Sequence, residues 1–162
     1  FFRASLNSGK DIVSLEGECR HITSYLQIQQ VRYQDILTYD VDIPEEIANC
    51  KIPKITLQPL VENALYHGIK NKRGKGRIVV TGRREKDKCV IRVEDNGIGM
   101  TKERLNQVRG GLTTKIEDSN DFYGLYNVNE RIRLKFGEEY GLSIDSVLQE
   151  GTCVEVWLPW ES

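Results

Sequence analysis

Three polar residues, Asn63, His67 and Lys70, recur at intervals of four and three residues in an otherwise apolar stretch. On a helix this spacing places the three side chains along one face. An amide oxygen is a ligand that hard cations such as Mg²⁺ accept, and an imidazole and an amine donate hydrogen bonds to phosphate oxygens. The stripe therefore suits a cation together with a phosphate group. The alternative is a solvent-facing helix side, with His67 near the C-terminal end where the helix dipole favours it.

Several common catalytic and binding motifs are incomplete in this sequence. Gly97 and Gly99 begin like a dinucleotide-binding fingerprint, but Lys102 stands where the third glycine is needed. Only His21 and His67 are available for a serine or cysteine triad, so none can be argued. The four cysteines contain no Cys-x-x-Cys pair, which argues against a zinc cluster, and free thiols fit a reducing compartment.

The charge and length of the chain argue against further classes of protein. With 23 basic and 24 acidic residues the net charge is -1, which argues against a nucleic-acid partner bound through bulk charge. No apolar run approaches the roughly 20 residues that span a bilayer, so we expect this chain not to insert in a membrane. The 162 residues suit one compact domain with a core of its own. The chain opens at Phe1 without a signal-peptide pattern, so we expect a piece of a longer protein.

The elements that position these residues can be predicted from hydrophobic periodicity and turn residues. Thr56 is the expected N-cap of the helix that carries Asn63, and Pro59 falls in its first turn, where proline is tolerated. The pattern predicts helices over 14–34, 56–69, 101–109 and 124–136, strands over 36–43, 77–84, 89–95, 141–148 and 152–158, and a loop over 110–122. This order predicts an α+β fold, a two-layer α/β sandwich in which helices cover one face of a mixed β-sheet.

Four short segments carry a family resemblance when they are taken together. They are Leu57 to Gly68, Asp95 to Met100, Tyr123 to Val128, and Glu150 to Thr152. In this order and spacing they resemble the ATP-binding catalytic domain of LytS/YesM-type sensor histidine kinases. These belong to the superfamily of gyrase, heat-shock, kinase and mismatch-repair (GHKL) ATPases. The resemblance covers nearly the whole chain, because residues 25–33 also resemble the linker helix of that branch.

The resemblance implies an adenine site around the second and fourth segments. It assigns Asp95 to the adenine amino group, while Asn96, Gly97 and Gly99 form the turn that lets the backbone pass close to the base. Thr152 resembles the residue that supports Asp95 and the adenine from the last strand. Without the other segments, the run from Asp95 to Gly97 is typical of an ordinary turn.

The resemblance also implies a phosphate site that holds ATP and Mg²⁺. Asn63 is the expected Mg²⁺ ligand and, with Glu62, the expected catalytic residue. Glu62 points about 100° away around a helix, so a supporting role or a solvated charge is equally open. Residues 100–122 would be a flexible lid that orders over ATP. The remaining candidates for contact with the nucleotide are His67, Lys70, Gly111, Gly124 and Leu125, the last two through amides at a helix N-terminus.

Two departures from the family pattern refine the predicted activity. ATP hydrolases of the superfamily carry a glutamate base four residues before this asparagine, where the present chain has Pro59. This favours phosphoryl transfer to a protein over hydrolysis. The phosphate-accepting histidine lies in an upstream segment that is missing here, and the residues after His21 do not match it.

We therefore expect residues 1–35 to be the end of a dimerisation and linker helix region and residues 36–162 to be the ATP-binding catalytic domain. In the whole protein, a membrane-anchored homodimer, the phosphoryl group would pass to a histidine of the dimerisation domain and then to a response regulator. The alternatives are a GHKL-type ATPase, an anti-sigma-like serine kinase and a non-catalytic nucleotide-sensing module.

Overall fold

The computed structural model describes residues 11–34, 36–69, 74–114 and 120–160, with the backbone alone at residues 67, 68 and 120–123. The helices are α1 (Leu15–Arg32), α2 (Leu57–Asn63), α3 (Lys102–Gly111) and α4 (Asn120–Phe136), with a 3₁₀ turn at Glu45–Ile47 and a π-helical segment at Ala64–Ile69. The strands are β1 (Ile12–Ser14), β2 (Leu37–Asp42), β3 (Lys51–Pro53), β4 (Gly76–Glu85), β5 (Lys88–Asp95), β6 (Gly141–Val147) and β7 (Gly151–Pro159).

The main sheet has five strands in the order β2-β4-β5-β7-β6. β2 runs parallel to β4, and every other neighbouring pair is antiparallel, so the sheet is mixed. β1 and β3 form a separate two-stranded antiparallel sheet. The predicted α+β class with a mixed sheet is confirmed, and the five strands of the main sheet lie within two residues of their predicted bounds.

One face of the sheet packs against the helices, and the other carries charged residues. Ile78 and Ile91 from the sheet and Ile22 and Leu60 from the helices are almost completely buried in one hydrophobic core. On the opposite face, Arg83 pairs with Glu155 at 3.0 Å and with Glu85 at 3.1 Å. No helix among the described residues is long and apolar enough to cross a membrane.

The helix predicted over 56–69 is divided into α2 and the π-helical segment that follows it. Pro59 lies in the first turn of α2 and Thr56 is its N-cap residue, as expected, but the Thr56 side chain makes no capping hydrogen bond. Its backbone is already helical, and its hydroxyl donates to the Pro53 carbonyl at 2.6 Å. A carboxylate from α1, Glu18, accepts hydrogen bonds from the amides at the start of α2 instead.

Both predicted bounds of the loop over 110–122 are wrong. α3 continues to Gly111, and α4 begins at Asn120, four residues before the predicted start at Gly124. The lid predicted over 100–122 therefore includes a helix. This helix packs against the core through the buried side chains of Leu105 and Val108. Residues 115–119, also part of the predicted lid, lie outside the described residues.

Candidate functional site

A cavity of about 350 Å³ lies between the sheet and the helices α2, α3 and α4. The ends of β5, β6 and β7 form one wall, which we call the strand side, and α2 with the π-helical segment forms the helix side. The walls are largely apolar, with a few polar side chains among them, an arrangement typical of small-molecule sites. The polar lining residues are Asn63, Asp95, Thr101, Arg104 and Thr152, and the apolar ones include Leu60, Val93, Met100, Leu125, Ile144 and Val154.

Asp95 is the charged residue on the strand side. It is the last residue of β5, and only 7% of its surface is exposed. Its Oδ1 accepts a hydrogen bond from the Gly97 amide at 2.8 Å, which holds the carboxylate in a turn at the strand end. The neighbouring Asn96 turns towards β4 instead, where its Oδ1 accepts from the Arg77 amide at 2.7 Å. Asp95 lines the cavity and Asn96 does not.

Two glycines let the loops beside Asp95 pack closely. Gly99 has φ +67°, and a Cβ there would lie 2.0 Å from the Val147 carbonyl oxygen. Gly151 has φ +129°, and a Cβ there would lie 2.0 Å from the Asp95 carbonyl oxygen. Only glycine fits both requirements. Gly99 also lines the cavity, but its closest approach is to the backbone at the end of β6.

Thr152 lies directly opposite Asp95 in the register of β5 and β7. Its hydroxyl contacts the Ser146 hydroxyl at 2.9 Å, and Ser146 donates to the Gly151 carbonyl at 2.8 Å. Because the only Ser146 hydroxyl proton goes to that carbonyl, Thr152 is the donor in the pair. Ser146 also accepts a hydrogen bond from the Met100 amide at 2.9 Å. Its hydroxyl therefore connects the loop that contains Met100 with the start of β7 at Gly151.

Sequence reasoning missed Ser146. The available signal was its position across the β6–β7 hairpin from Thr152, since hydroxyl residues commonly pair across strands. It also missed Arg104, which projects from α3 into the lining of the cavity. Arg104 lies one helical turn from Val108, another lining residue, so the amphipathic period of α3 could have indicated it.

Asn63 is the polar residue on the helix side. It is half-buried at the end of α2 and lines the cavity with Leu60 and Ala64. The π-helical segment begins at the next residue, and such segments occur frequently at functional sites. The side chain of His67 and all of Lys70 lie outside the described residues, so their place on one face with Asn63 stays a prediction.

Glu62 faces α1 rather than the cavity. Its Oε1 accepts a hydrogen bond from Gln58 Nε2 at 2.9 Å, and Gln58 Oε1 contacts the ring of His21 on α1. Burial and, after it, the charge of Glu62 raise the pKa of Tyr25 to about 12. Glu62 is therefore placed among residues of α1 and is not among the residues that line the cavity.

The three remaining candidates have different positions. Leu125 lines the cavity, whereas Gly124 and Gly111 do not. Gly111 is buried in the last turn of α3. Because α4 begins at Asn120, the Gly124 and Leu125 amides follow the first turn and bond within the helix. The expectation that they are free N-terminal amides is wrong.

The chain matches known protein families along its length. Residues 53–162 match the model of the histidine kinase-, DNA gyrase B- and HSP90-like ATPases, and residues 1–37 match a histidine kinase model. Among curated proteins, it is 37% identical over 158 residues to the sensor histidine kinase YesM of Bacillus subtilis, covering 97% of this chain and 26% of YesM. It is 32% identical over 160 residues to the sensor histidine kinase BtsS of Escherichia coli, covering 99% of this chain and 26% of BtsS. The chain thus spans about a quarter of the length of these relatives.

Solved structures show the same fold at lower identity. The nucleotide-free catalytic domain of the histidine kinase ThkA superposes with a TM-score of 0.69 at 11% identity, over 92% of this chain and 96% of that one. The histidine kinase domain of the blue-light activated kinase EL346 from Erythrobacter litoralis gives a TM-score of 0.64 at 15% identity, over 91% and 62%. The family match over residues 53–162 shows that the chain belongs to the histidine kinase-, DNA gyrase B- and HSP90-like ATPases.

Proposed function

We propose that this chain binds Mg-ATP in the cavity and transfers the γ-phosphoryl group to a histidine outside the chain. The observation that carries the proposal is the buried carboxylate of Asp95, which shares a largely apolar cavity with the Asn63 amide. A nucleotide has two chemically different ends, and these two residues suit one end each.

The strand side fits adenine. The base is flat and largely apolar, and Val93, Ile144 and Val154 offer an apolar wall of matching character. A carboxylate has about four acceptor positions, so Asp95 can accept an adenine amino hydrogen while Oδ1 holds the Gly97 amide. Thr152 donates its proton to Ser146, which leaves its lone pairs as acceptors beside Asp95.

The helix side fits a magnesium ion carried by the phosphates. Mg²⁺ keeps several waters and phosphate oxygens and takes few protein ligands. The described residues contain no group of three carboxylate, histidine or cysteine side chains that could hold a metal by themselves. Asn63 would hold the ion through its amide oxygen, and His67 and Lys70 would donate to phosphate oxygens. When bound, the ion neutralises charge on the transferred group.

The residue four positions before Asn63, Pro59, favours phosphoryl transfer over hydrolysis. Pro59 occupies the position one helical turn earlier, so no base is available there to activate a water. In the proposed reaction the bond between the γ-phosphorus and the bridging oxygen of ADP breaks, and a bond to an imidazole nitrogen forms. The protein positions the two reactants and stabilises charge, which is most of what phosphoryl transfer requires.

The remaining parts of the system would lie outside this chain. The named relatives are sensor histidine kinases about four times as long. We propose that residues 1–35 continue from a dimerisation domain that supplies the acceptor histidine, and that residues 36–162 form the catalytic domain. The whole homodimer would sit in the cell membrane with this domain on the cytoplasmic side, and would pass the phosphate to a response regulator.

A direct test combines binding with transfer. We expect Mg-ATP at millimolar concentration to raise the melting temperature of the purified chain, because a ligand that binds only the folded state stabilises it. We expect γ-labelled ATP to yield acid-labile phosphate only when a separate acceptor-helix fragment is added. Absence of any thermal shift in folded protein would refute the proposal.

The same assay separates the alternatives. Phosphate released without an acceptor would indicate an ATPase, and acid-stable phosphate on an added protein would indicate a serine kinase. Binding without transfer to any acceptor fragment would indicate a nucleotide-sensing module. Label on His21 of the chain itself would refute the proposal that the acceptor lies elsewhere.

A further inference from the structure

The backbone just before α2 is strained at Ile55. This residue has φ +60°, a backbone conformation that is uncommon for residues other than glycine, asparagine and aspartate. A β-branched side chain is particularly unfavourable there, because its Cβ crowds the backbone. Such a conformation persists only where the surroundings hold it. We call residues 54–57 the entry turn.

A buried carboxylate from α1 holds the amides of the entry turn. Glu18 is only 3% exposed, and its Oε1 accepts from the Ile55 amide at 2.8 Å. Its Oε2 accepts from the Thr56 amide at 3.1 Å and from the Leu57 amide at 3.2 Å. One side chain thus serves three donors, including amides at the N-terminus of α2 that have no partner within the helix.

A guanidinium from α4 holds the carbonyls of the same turn. Arg131 donates through Nη2 to the Lys54 carbonyl and through Nη1 to the Ile55 carbonyl at 3.5 Å. The entry turn is therefore fixed by two opposite charges from two different helices. Both contacts are distant in sequence, since Glu18 lies 39 residues before Leu57 and Arg131 lies 77 residues after Lys54.

We propose that Glu18 is a positioning residue through which α1 sets the place of Asn63 in the cavity. α2 has only 7 residues, so its first turn and its last residue move together. If α1 shifted and withdrew the carboxylate, three amides would lose their acceptor and the strained Ile55 would relax, which would displace α2. The position of α1 thereby controls the phosphate end of the site, whereas the adenine end stays fixed in the sheet. This inference rests on the proposed nucleotide site.

The test compares Glu18→Gln with Glu16→Gln in the purified chain. Glu16 is an exposed carboxylate on the same helix that pairs with Arg20 at 3.6 Å, so it is a matched control. Each variant is titrated with Mg-ATP, with ATP in chelator, and with adenosine. We expect Glu18→Gln to weaken Mg-ATP binding about tenfold, since the amide presents a donor to backbone amides, and to leave adenosine binding unchanged. Glu16→Gln should change neither affinity.

A second variant separates positioning from general stabilisation. Asparagine tolerates a positive φ, so Ile55→Asn relieves the strain that Glu18 holds. We expect Ile55→Asn to restore most of the Mg-ATP affinity in the Glu18→Gln background, and to change it little when Glu18 is present. If Glu18→Gln does not fold, Arg131→Gln is the substitute, because it releases the other half of the entry turn and should give the same selective loss.

The outcomes distinguish the two proposals. An equal loss of adenosine and Mg-ATP affinity, or no loss of either in a folded variant, overturns the positioning role and leaves the nucleotide site standing. Failure of the unsubstituted chain to bind Mg-ATP overturns the proposed function itself.

Discussion

The two sides of the cavity are built in different ways. On the strand side, Asp95, Thr152 and Ser146 lie opposite one another in register, and their partners are neighbours within the sheet or its loops. On the helix side, Asn63 depends on a short helix whose start is held from two other helices. The strand side is therefore a fixed frame. The start of the helix side is held instead by side chains of α1 and α4.

The largest effect is expected where the loops of the strand side pack most closely. Gly99→Ala would place a Cβ 2.0 Å from the Val147 carbonyl oxygen at a positive φ. We expect the free energy of unfolding to fall by about 3 kcal/mol, because backbone must move to admit the methyl group. The measurement is urea denaturation followed by circular dichroism.

Gly110→Ala is the matched control for this substitution. No atom lies within 4 Å of a Cβ built at Gly110, which is part of α3. We expect this variant to be more stable by about 0.5 kcal/mol, because alanine favours the helix. Comparable stability of the two alanine variants would show that the strand side tolerates change and would break the comparison.

The next effect concerns ligand binding on the strand side. We expect Asp95→Asn to lower ATP affinity about thirtyfold, which corresponds to the roughly 2 kcal/mol of a hydrogen bond to a charged group. Calorimetric titration measures it. Glu94→Gln is the control, since Glu94 is the adjacent carboxylate but is exposed and pairs with Arg92 at 3.5 Å. Equal affinities in the two variants would mean that Asp95 serves only the turn.

This contrast also explains what could be predicted from the sequence. The five strands of the main sheet and the turn at Asp95 follow from local alternation and turn residues, and each of these strands is predicted within two residues. The short strands β1 and β3 are not predicted. The N-cap position at Thr56 is confirmed, but the sequence did not indicate that the capping acceptor is Glu18, because that residue comes from a different helix. The start of α4 was wrong because Gly124 reads as a helix boundary, yet tertiary context carries the helix through it. Long-range partners leave no periodic signal, so the residues that hold the start of α2 could not be predicted from the sequence.

A smaller effect tests whether the hydroxyls of the strand side act as a unit. Thr152→Val removes one hydroxyl while Ser146 keeps its bonds to Gly151 and the Met100 amide. We expect a loss of about 1 kcal/mol in unfolding free energy. Ser146→Ala should cost more, because it leaves the Met100 amide without its acceptor. A larger loss for Thr152→Val than for Ser146→Ala would contradict this order.

The smallest effect is a difference in thiol reactivity between α1, which holds the start of the helix side, and β7 on the strand side. Burial and, after it, the charge of Glu18 raise the pKa of Cys19 on α1 to about 12. Burial raises the pKa of Cys153 on β7 to about 11, while nearby Arg92 opposes the rise. Both pKa values exceed the ordinary thiol pKa of 9.0, so the two thiols stay protonated to a higher pH in the folded state than in the unfolded state. The resulting stabilisation is complete below pH 9 and is lost as the pH rises towards 11 to 12.

Alkylation at pH 8, read residue by residue by mass spectrometry, makes this difference measurable. Only the thiolate reacts, and Cys153 is partly exposed whereas Cys19 is buried, so Cys153 should be modified faster than Cys19. Glu18→Gln removes a charge beside Cys19 and loosens the entry turn, so it should raise the Cys19 rate and leave the Cys153 rate unchanged. An equal rise at both cysteines would mean that the substitution loosens the whole domain. A rise at Cys19 alone would agree with a change confined to α1 and the entry turn, with the strand side unchanged.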